Sequence, residues 1–407
     1  MRIIIKRMQR EKIAIGFDAK RALCNRTGLG SYSRTLINDI VQACDKTGSV
    51  FSSKDCSFYL YSPKIGQENL RKQIINRDNI KYIYPKHPNN SLLSSLWREK
   101  YVVKNIIKDN ISIYHGLSGE LPINIKRSGV KTVVTIHDVI FFSHPEWYSR
   151  FDVRIYKHKF FSTLRQADKI IAVSECTKRD ILKYGNLDAS NPLVKEEDIE
   201  VIYQSYNNIF NTSVTEKEKT KIKQKYSLPN DFVLSVGTIE ERKNILLAVE
   251  AISQLPNTNL IIIGRQRGEY ANRIKDYIYK HSLQTRVRIL ENIPNEELKV
   301  FYSMAKLFVY PSIYEGFGIP IVEAIANNLP VVAAKGSCLE EAGGPDTYYV
   351  DPYSVEEMRE AIKTLYNNED RRSAMILRSR EYIKKFNNID ITQRNLNLYE
   401  SLLSLRK

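Results

Sequence analysis

Residues Phe308 to Ala326 read FVYPSIYEGFGIPIVEAIA. The apolar run Leu307 to Tyr310 predicts a short buried strand, and Pro311-Ser312 ends it. Pro320 falls in the first turn of a following helix, where its missing N–H removes only a group that has no helical partner. Between strand and helix stand Glu315, Gly316, Phe317, Gly318 and Ile319. The two glycines let the backbone approach a ligand closely. The free N–H groups and positive end of the helix then suit an anion such as phosphate. Two carboxylates bracket this site, Glu315 in the loop and Glu323 one turn into the helix. A carboxylate beside a phosphate is electrostatically unfavourable unless it accepts hydroxyl groups. Glu323 is placed to take a vicinal diol such as a ribose, and Glu315 to meet a sugar.

A bare Glu-x₇-Glu spacing would describe two surface acids on a strand-turn-helix. Here the preceding Pro-Ser, the internal G-F-G and the proline-started helix accompany it. Together, E-G-F-G-I-P-I-V-E resembles the signature of retaining GT-B glycosyltransferases, specifically glycosyltransferase family 4. The resemblance spans nearly the whole chain, weakly over 45–110 and strongly over 231–350. It implies an α/β fold of two facing, doubly wound, Rossmann-like domains with a C-terminal crossover helix. The N-terminal, acceptor-side domain is expected over residues 1–205, completed by a helix at 388–407. The C-terminal, nucleotide-sugar-binding domain is expected over residues 206–387.

Composition fits two or three ordinary domains: 407 residues, 43% hydrophobic and 10% aromatic, make a globular chain rather than a disordered one. No apolar run reaches the length of a membrane span, and the N-terminus MRIIIKRMQREKIAIGFD lacks the long apolar core of a signal peptide. The five cysteines are scattered without metal-type spacing, which fits reduced thiols and a cytoplasmic location. Net charge is +16 and uneven. Residues 1–205 hold 34 Lys and Arg against 21 Asp and Glu, the remainder 28 against 25. The basic half implies an anionic partner: anionic lipid at the inner face of a membrane, a phosphate-bearing substrate, or nucleic acid. A merely basic solubility surface is the plain alternative.

Along the first half, Lys12 to Phe17 predicts a strand, Asp18 to Leu29 a loop with Gly28 and Gly30, and Ser31 to Cys44 a helix. Strand, glycine turn and helix are the layout of a phosphate site. T-G-L-G-S-Y resembles the family's N-terminal glycine loop, which implies a place for Gly28 and Gly30 against the donor phosphates. Asn90 to Asp109 reads as an amphipathic packing helix with solvated lysines, and alternatively as a membrane-surface element. The strand KTVVTI, Lys131 to Ile136, ends in His137-Asp138, at the strand end where parallel sheets bind ligands. T-I-H-D-V followed by H-P-E-W resembles the family's active-site segment and implies a catalytic place for His137 at the reacting centre; His115 and His144 read as structural. Ser174-Glu-Cys-Thr caps a helix, and Gln204 to Asn211 reads as a polar linker.

The second half repeats the alternation of strand and helix. After the strand Val233 to Gly237 comes Thr238-Ile-Glu-Glu-Arg242-Lys243-Asn244. Cations at a helix start oppose its dipole, so Arg242 and Lys243 call for an anion. The family usually carries an Arg directly after the glycine and a Lys five residues further on, both on the diphosphate. Lys243 matches the Lys. Thr238 stands where the Arg is usual, and Arg242 is the candidate replacement. This R-K-N variant resembles mannosyl- and rhamnosyltransferases of polysaccharide assembly. The resemblance implies a donor site of Gly28, Gly30, Thr238, Arg242, Lys243, Gly316, Phe317, Gly318, Ile319, Pro320 and Glu323. It implies His137 and Glu315 as catalytic residues.

The expected activity is metal-independent, retaining transfer of a mannose- or rhamnose-like hexose from a GDP- or UDP-linked donor to a glycan or lipid-linked acceptor. The sequence contains no Asp-x-Asp pair, and no cofactor beyond the nucleotide sugar is expected. Two other classes compete. A nucleic-acid or polyanion binder would explain the charge, but no basic recognition helix or aromatic-interleaved sheet motif is present. An inactive scaffold would have lost the acids, whereas Glu315, Glu323, Lys243 and His137 all stand.

Overall fold

The computed structural model describes residues 12–44, 51, 55–88, 90–188, 190, 192–266 and 268–404. The N-terminal residues 1–11, on which the reading of a leader segment leaned, and residues 405–407 lie outside the described residues.

Two parallel sheets carry the fold. The first comprises β1 (Lys12–Asp18), β2 (Asp55–Tyr61), β3 (Ile80–Ile83), β4 (Ile113–Gly116), β5 (Lys131–Ile136), β6 (Lys169–Ala172) and β7 (Ile199–Val201), in the order β3-β2-β1-β4-β5-β6-β7. The second comprises β8 (Val233–Val236), β9 (Leu260–Ile263), β10 (Val287–Leu290), β11 (Leu307–Tyr310), β12 (Val331–Ala334) and β13 (Tyr348–Val350), in the order β10-β9-β8-β11-β12-β13. Their strands are continuous apolar runs because helices cover both faces. β9 and β11, for example, are buried along their whole length. Strand order reverses beside β1 and β4 in one sheet and beside β8 and β11 in the other. Doubly wound sheets open a crevice at the carboxyl ends of such strands, and the loops carrying Arg242 and Glu315 leave from β8 and β11.

The last helix, Asn388–Ser404, returns to the first domain. Its Leu396, Leu398, Tyr399 and Leu402 share a core with Leu36, Ile37, Ile40 and Val41. The Tyr399 hydroxyl lies 2.6 Å from Nδ1 of the fully buried His115, whose Nε2 lies 2.8 Å from Thr135 Oγ1. Phe210, Ile222, Ile383 and Phe386 bury instead with the second sheet.

Two local expectations are corrected. The first helix starts at Gly28, not Ser31, and the preceding loop holds a short helix, Lys20–Cys24. A side chain at Gly30 would meet the Asn25 carbonyl oxygen at 1.9 Å, so only glycine lets the helix begin this close to the loop. The long helix expected over 90–109 is three pieces: Ser91–Leu96, a π turn Trp97–Tyr101, and Val102–Lys108. The wider turn carries Arg98 inward, where Nε and Nη2 lie 3.0 and 2.5 Å from Asp18 Oδ2 and Nη1 meets Glu120. Packing accounts for one side of this segment only, since Leu92 is 78% and Ile107 53% exposed on the other.

Candidate functional site

The turn after β8 and the turn after β11 are tied backbone to backbone, Ile313 N–H donating to the Arg242 carbonyl at 2.8 Å. Their side chains converge. Arg242 Nη1 lies 2.7 Å from Glu315 Oε2, and Nη2 lies 2.8 Å from Glu240 Oε1. Lys243 Nζ meets Glu315 Oε1 and donates to the Tyr310 hydroxyl at 2.6 Å. Lys243 and Glu315 are each only 8% exposed. Burial on its own would raise the Glu315 carboxyl; Arg242 and Lys243 outweigh it and hold the group down at about 2. Burial pulls the Lys243 ammonium below its ordinary value, opposed by Glu315. The anion that the two cations call for is thus, within the chain itself, Glu315.

Beyond Glu315 the turn is shaped by close approach. A side chain at Gly316 would meet the His137 carbonyl oxygen at 1.8 Å, so the two domains touch backbone to backbone there. Gly318 caps the helix Ile319–Ala326 with φ +113, a left-handed conformation that favours glycine. Pro320 lies in the first turn, as the helix start requires. Phe317 is buried, its ring packed 5.2 Å from that of Phe386 and 5.6 Å from that of Tyr203, which leaves its backbone for the site. Glu323 is half-buried, and its Oε2 accepts from the Tyr302 hydroxyl at 3.2 Å. Burial raises its carboxyl to about 8 against that hydrogen bond. Thr238 follows β8 half-buried, beside the point where Gly264 presses on the Gly237 carbonyl.

Across the cleft, both ring nitrogens of His137 are engaged. Nε2–H donates to the Leu117 carbonyl at 2.9 Å, and Nδ1 accepts from the Gln204 amide at 2.7 Å. Tyr32 meets the ring edge-on at 4.7 Å. Burial lowers the imidazole to about 4, opposed by the Leu117 carbonyl and helped by Arg21. His137 is therefore a fixed neutral ring at physiological pH. Burial raises the Asp138 carboxyl beside it, opposed by Arg242. Gly28 and Gly30 open the first helix, but the Gly30 N–H already donates to Thr27 O at 2.9 Å.

The structure thus gathers Arg242, Lys243 and Glu315 into one cluster and sets Gly316 against His137. Glu323 stands apart with Tyr302. Sequence reasoning missed Gln204, read as linker, and the partners Tyr310, Tyr302 and Glu240. An isolated polar residue carries no local signal for a partner 67 positions away.

Comparison with known proteins supplies the family. Residues 50–206 match the family described as Glycosyltransferase Family 4, and residues 216–382 the family described as Glycosyl transferases group 1. O-antigen chain mannosyltransferase B of Escherichia coli is 28% identical over 295 residues, covering 71% of this chain and 74% of that protein. O-antigen chain mannosyltransferase RfbU of Salmonella typhimurium is 28% identical over 254 residues, covering 62% and 65%. The chain matches 32% of the length of the serotype-specific mannosyltransferase WbdA of Escherichia coli, at 27% identity. Among solved structures, Anabaena HepE in complex with UDP and glucose superposes with a TM-score of 0.72 at 17% identity, over 96% of this chain and 100% of that one. A glycosyltransferase from Rickettsia africae gives 0.71 at 20% identity, over 97% and 99%. With its two facing parallel sheets, crossover helix and both halves matched, the chain belongs to glycosyltransferase family 4 and has the GT-B fold.

Proposed function

We propose that the chain transfers a mannose- or rhamnose-like hexose from a nucleoside-diphosphate sugar to a glycan or lipid-linked acceptor, with retention of anomeric configuration and without a divalent metal. The observation that carries this reading is the meeting, at the switch point of the second sheet, of Arg242 and Lys243 with Glu315, in the turn that leads into the helix start at Gly318 to Pro320. The mannosyltransferase names of the relatives favour mannose, and GDP-mannose is the donor we expect; the UDP complex of HepE makes UDP-sugars the competing class.

The diphosphate would share the two cations with Glu315, so their charge is in place before the leaving group develops its own. Glu315 oxygens released by that sharing accept hydroxyls of the transferred sugar. Glu323 takes the ribose diol. His137, with Nε2–H spent on Leu117 and Nδ1 on Gln204, offers the sugar a fixed neutral ring to pack against rather than exchanging a proton. The acceptor hydroxyl enters from the first domain on the leaving-group face, and the departing phosphate takes its proton.

We place the protein in the cytoplasm, attached peripherally to an anionic membrane where a lipid-linked acceptor is presented. The basic first half supports this, as do exposed Leu92, Leu93, Leu96 and Ile107 in a segment that also carries Lys100, Lys104 and Lys108. Among the described residues no helix is long and apolar enough to cross a membrane.

The test is turnover with UDP-, GDP-, ADP- and dTDP-sugars, with and without EDTA, following the anomeric proton by NMR. GDP-mannose turnover that survives EDTA and preserves the anomeric configuration supports the reading. An inverted product, or no turnover with any donor, overturns it.

A further inference from the structure

The turn that holds Glu315 has three successive carbonyls, and the two domains divide them. Cys338 Sγ, in the second domain, lies 3.0 Å from both the Glu315 and the Phe317 carbonyl oxygens. The middle carbonyl, of Gly316, accepts across the cleft from Ser174 Oγ at 2.7 Å and from Thr177 Oγ1 at 3.2 Å. Ser174 and Thr177 are 0% and 2% exposed. Both belong to the start of the first-domain helix Glu175–Gly185, where Ser174 Oγ also accepts from Thr177 N–H at 3.0 Å. That helix start has a partner of its own from the second domain: the Glu341 carboxylate accepts from Glu175 N–H at 2.7 Å and from Cys176 N–H at 2.8 Å. One turn further along, the Tyr314 hydroxyl donates to Asp180 Oδ2 at 2.5 Å. The first two turns of one helix in the first domain therefore grip both flanks of Glu315 in the other, Tyr314 and Gly316.

We infer that Ser174, Thr177 and Glu341 form a clasp that sets the Glu315–Gly318 turn in its working geometry only while the two domains are together. They are positioning residues. The clasp rests on reading that turn as the donor site. Chemistry supports the division of labour. A partly buried Gly316 carbonyl needs a donor; the single S–H of Cys338 is shared between the Glu315 and Phe317 carbonyls, and the donors to Gly316 come from Ser174 and Thr177 of the first domain. A carboxylate at a helix N-terminus is favourable, and bidentate acceptance from two successive N–H groups fixes the helix in direction as well as in position. With the domains apart, these groups turn to water and the turn loses its outer support, while Arg242, Lys243 and the helix start remain on the second domain to hold a nucleoside diphosphate.

The experiment uses the full chain. Ser174→Ala with Thr177→Val, and separately Glu341→Ala, are compared with wild type for GDP and UDP affinity by calorimetry, for kcat and KM, and for radius of gyration by small-angle scattering. The expected result is a fall in kcat of about tenfold to a hundredfold, the scale of a misplaced reacting group. Nucleoside diphosphate affinity should stay within about twofold, with a larger radius of gyration. Thr177→Ser, which keeps the hydroxyl, should restore the rate. An unchanged kcat and radius in both variants would overturn the clasp, as would diphosphate affinity that falls in parallel with kcat. The donor-site reading fails by a different sign: Lys243→Ala leaving diphosphate affinity intact, whatever the scattering of the clasp variants.

Discussion

Arg242 Nη1 lies 2.7 Å from Glu315 Oε2, while Lys243 holds the other oxygen of the same carboxylate. One ionised acid thus keeps two largely buried cations in place. Lys243→Ala and Arg242→Ala should each weaken donor and free nucleoside diphosphate together, because the phosphates make the contact in both. Charge-assisted hydrogen bonds of this type contribute about 1.5–3 kcal/mol each. Calorimetry with GDP and UDP measures it. Unchanged affinity in Arg242→Ala would remove that residue from the site and leave the place of the usual arginine unfilled.

The two glutamates should fail in different ways. On the proposed reading Glu323 holds a part of the donor that does not change during reaction, so Glu323→Gln should raise KM and change kcat less. Glu315, on the same reading, meets the sugar whose charge and ring shape change, so Glu315→Gln should lower kcat. The same substitution removes the anion between Arg242 and Lys243, so diphosphate affinity should not fall. Steady-state kinetics with one good donor decides; the reverse pattern exchanges the roles.

Donor binding should release a proton through Glu323. Burial holds this carboxyl at about 8 in the free protein against an ordinary value of 4.5, so at neutral pH it is mostly protonated. Accepting from both hydroxyls of a diol needs the carboxylate. Affinity should therefore rise between pH 6 and pH 8 as the proton is lost. Stability of the free protein runs the other way. A carboxyl raised in the folded state contributes stability that is complete below 4.5 and lost as pH rises through about 8, because the folded chain binds the extra proton. Calorimetry in buffers of different ionisation enthalpy reads the released proton, and Glu323→Gln should abolish it. Equal enthalpies in all buffers would show that the group does not titrate on binding.

Membrane attachment should depend on both charge and the exposed side of the segment Ser91–Lys108. Each Lys or Arg near an anionic surface contributes on the order of 1 kcal/mol. Liposome flotation should succeed with anionic lipid at low salt and weaken as salt rises. Replacing Leu92, Leu93 and Leu96 by Ser should reduce it at every salt concentration. A protein that never floats leaves the basic half to the acceptor alone.

Much of the fold was legible because its causes are local. Continuous apolar strands and Pro320 at a helix start mark elements by their own chemistry, and the strand Leu307–Tyr310 and the helix Ile319–Ala326 fall where the sequence predicts them. The π turn at Trp97–Tyr101 escaped because a single displaced residue leaves the helical period almost intact; what it serves, Arg98 reaching Asp18, lies 80 positions away. The site divides in the same manner. The turn of Glu315 could be read from glycine and proline alone. Its pairing with Lys243 spans 72 positions and its support by Ser174 spans 142, distances over which spacing carries no information and only the packed sheets decide.

The helix Asn388–Ser404 has a consequence for synthesis. The second sheet, Val233 to Val350, is contiguous in the chain, whereas the core of the first is finished only by Leu396, Tyr399 and Leu402. On the ribosome the later domain is therefore complete first. Until residues 396–402 emerge, the earlier domain shows water the apolar face of Leu36, Ile37, Ile40 and Val41, and His115 waits for the Tyr399 hydroxyl. A nascent or prematurely stopped chain pairs a folded second domain with an open hydrophobic patch, the kind of surface that draws chaperones or aggregates.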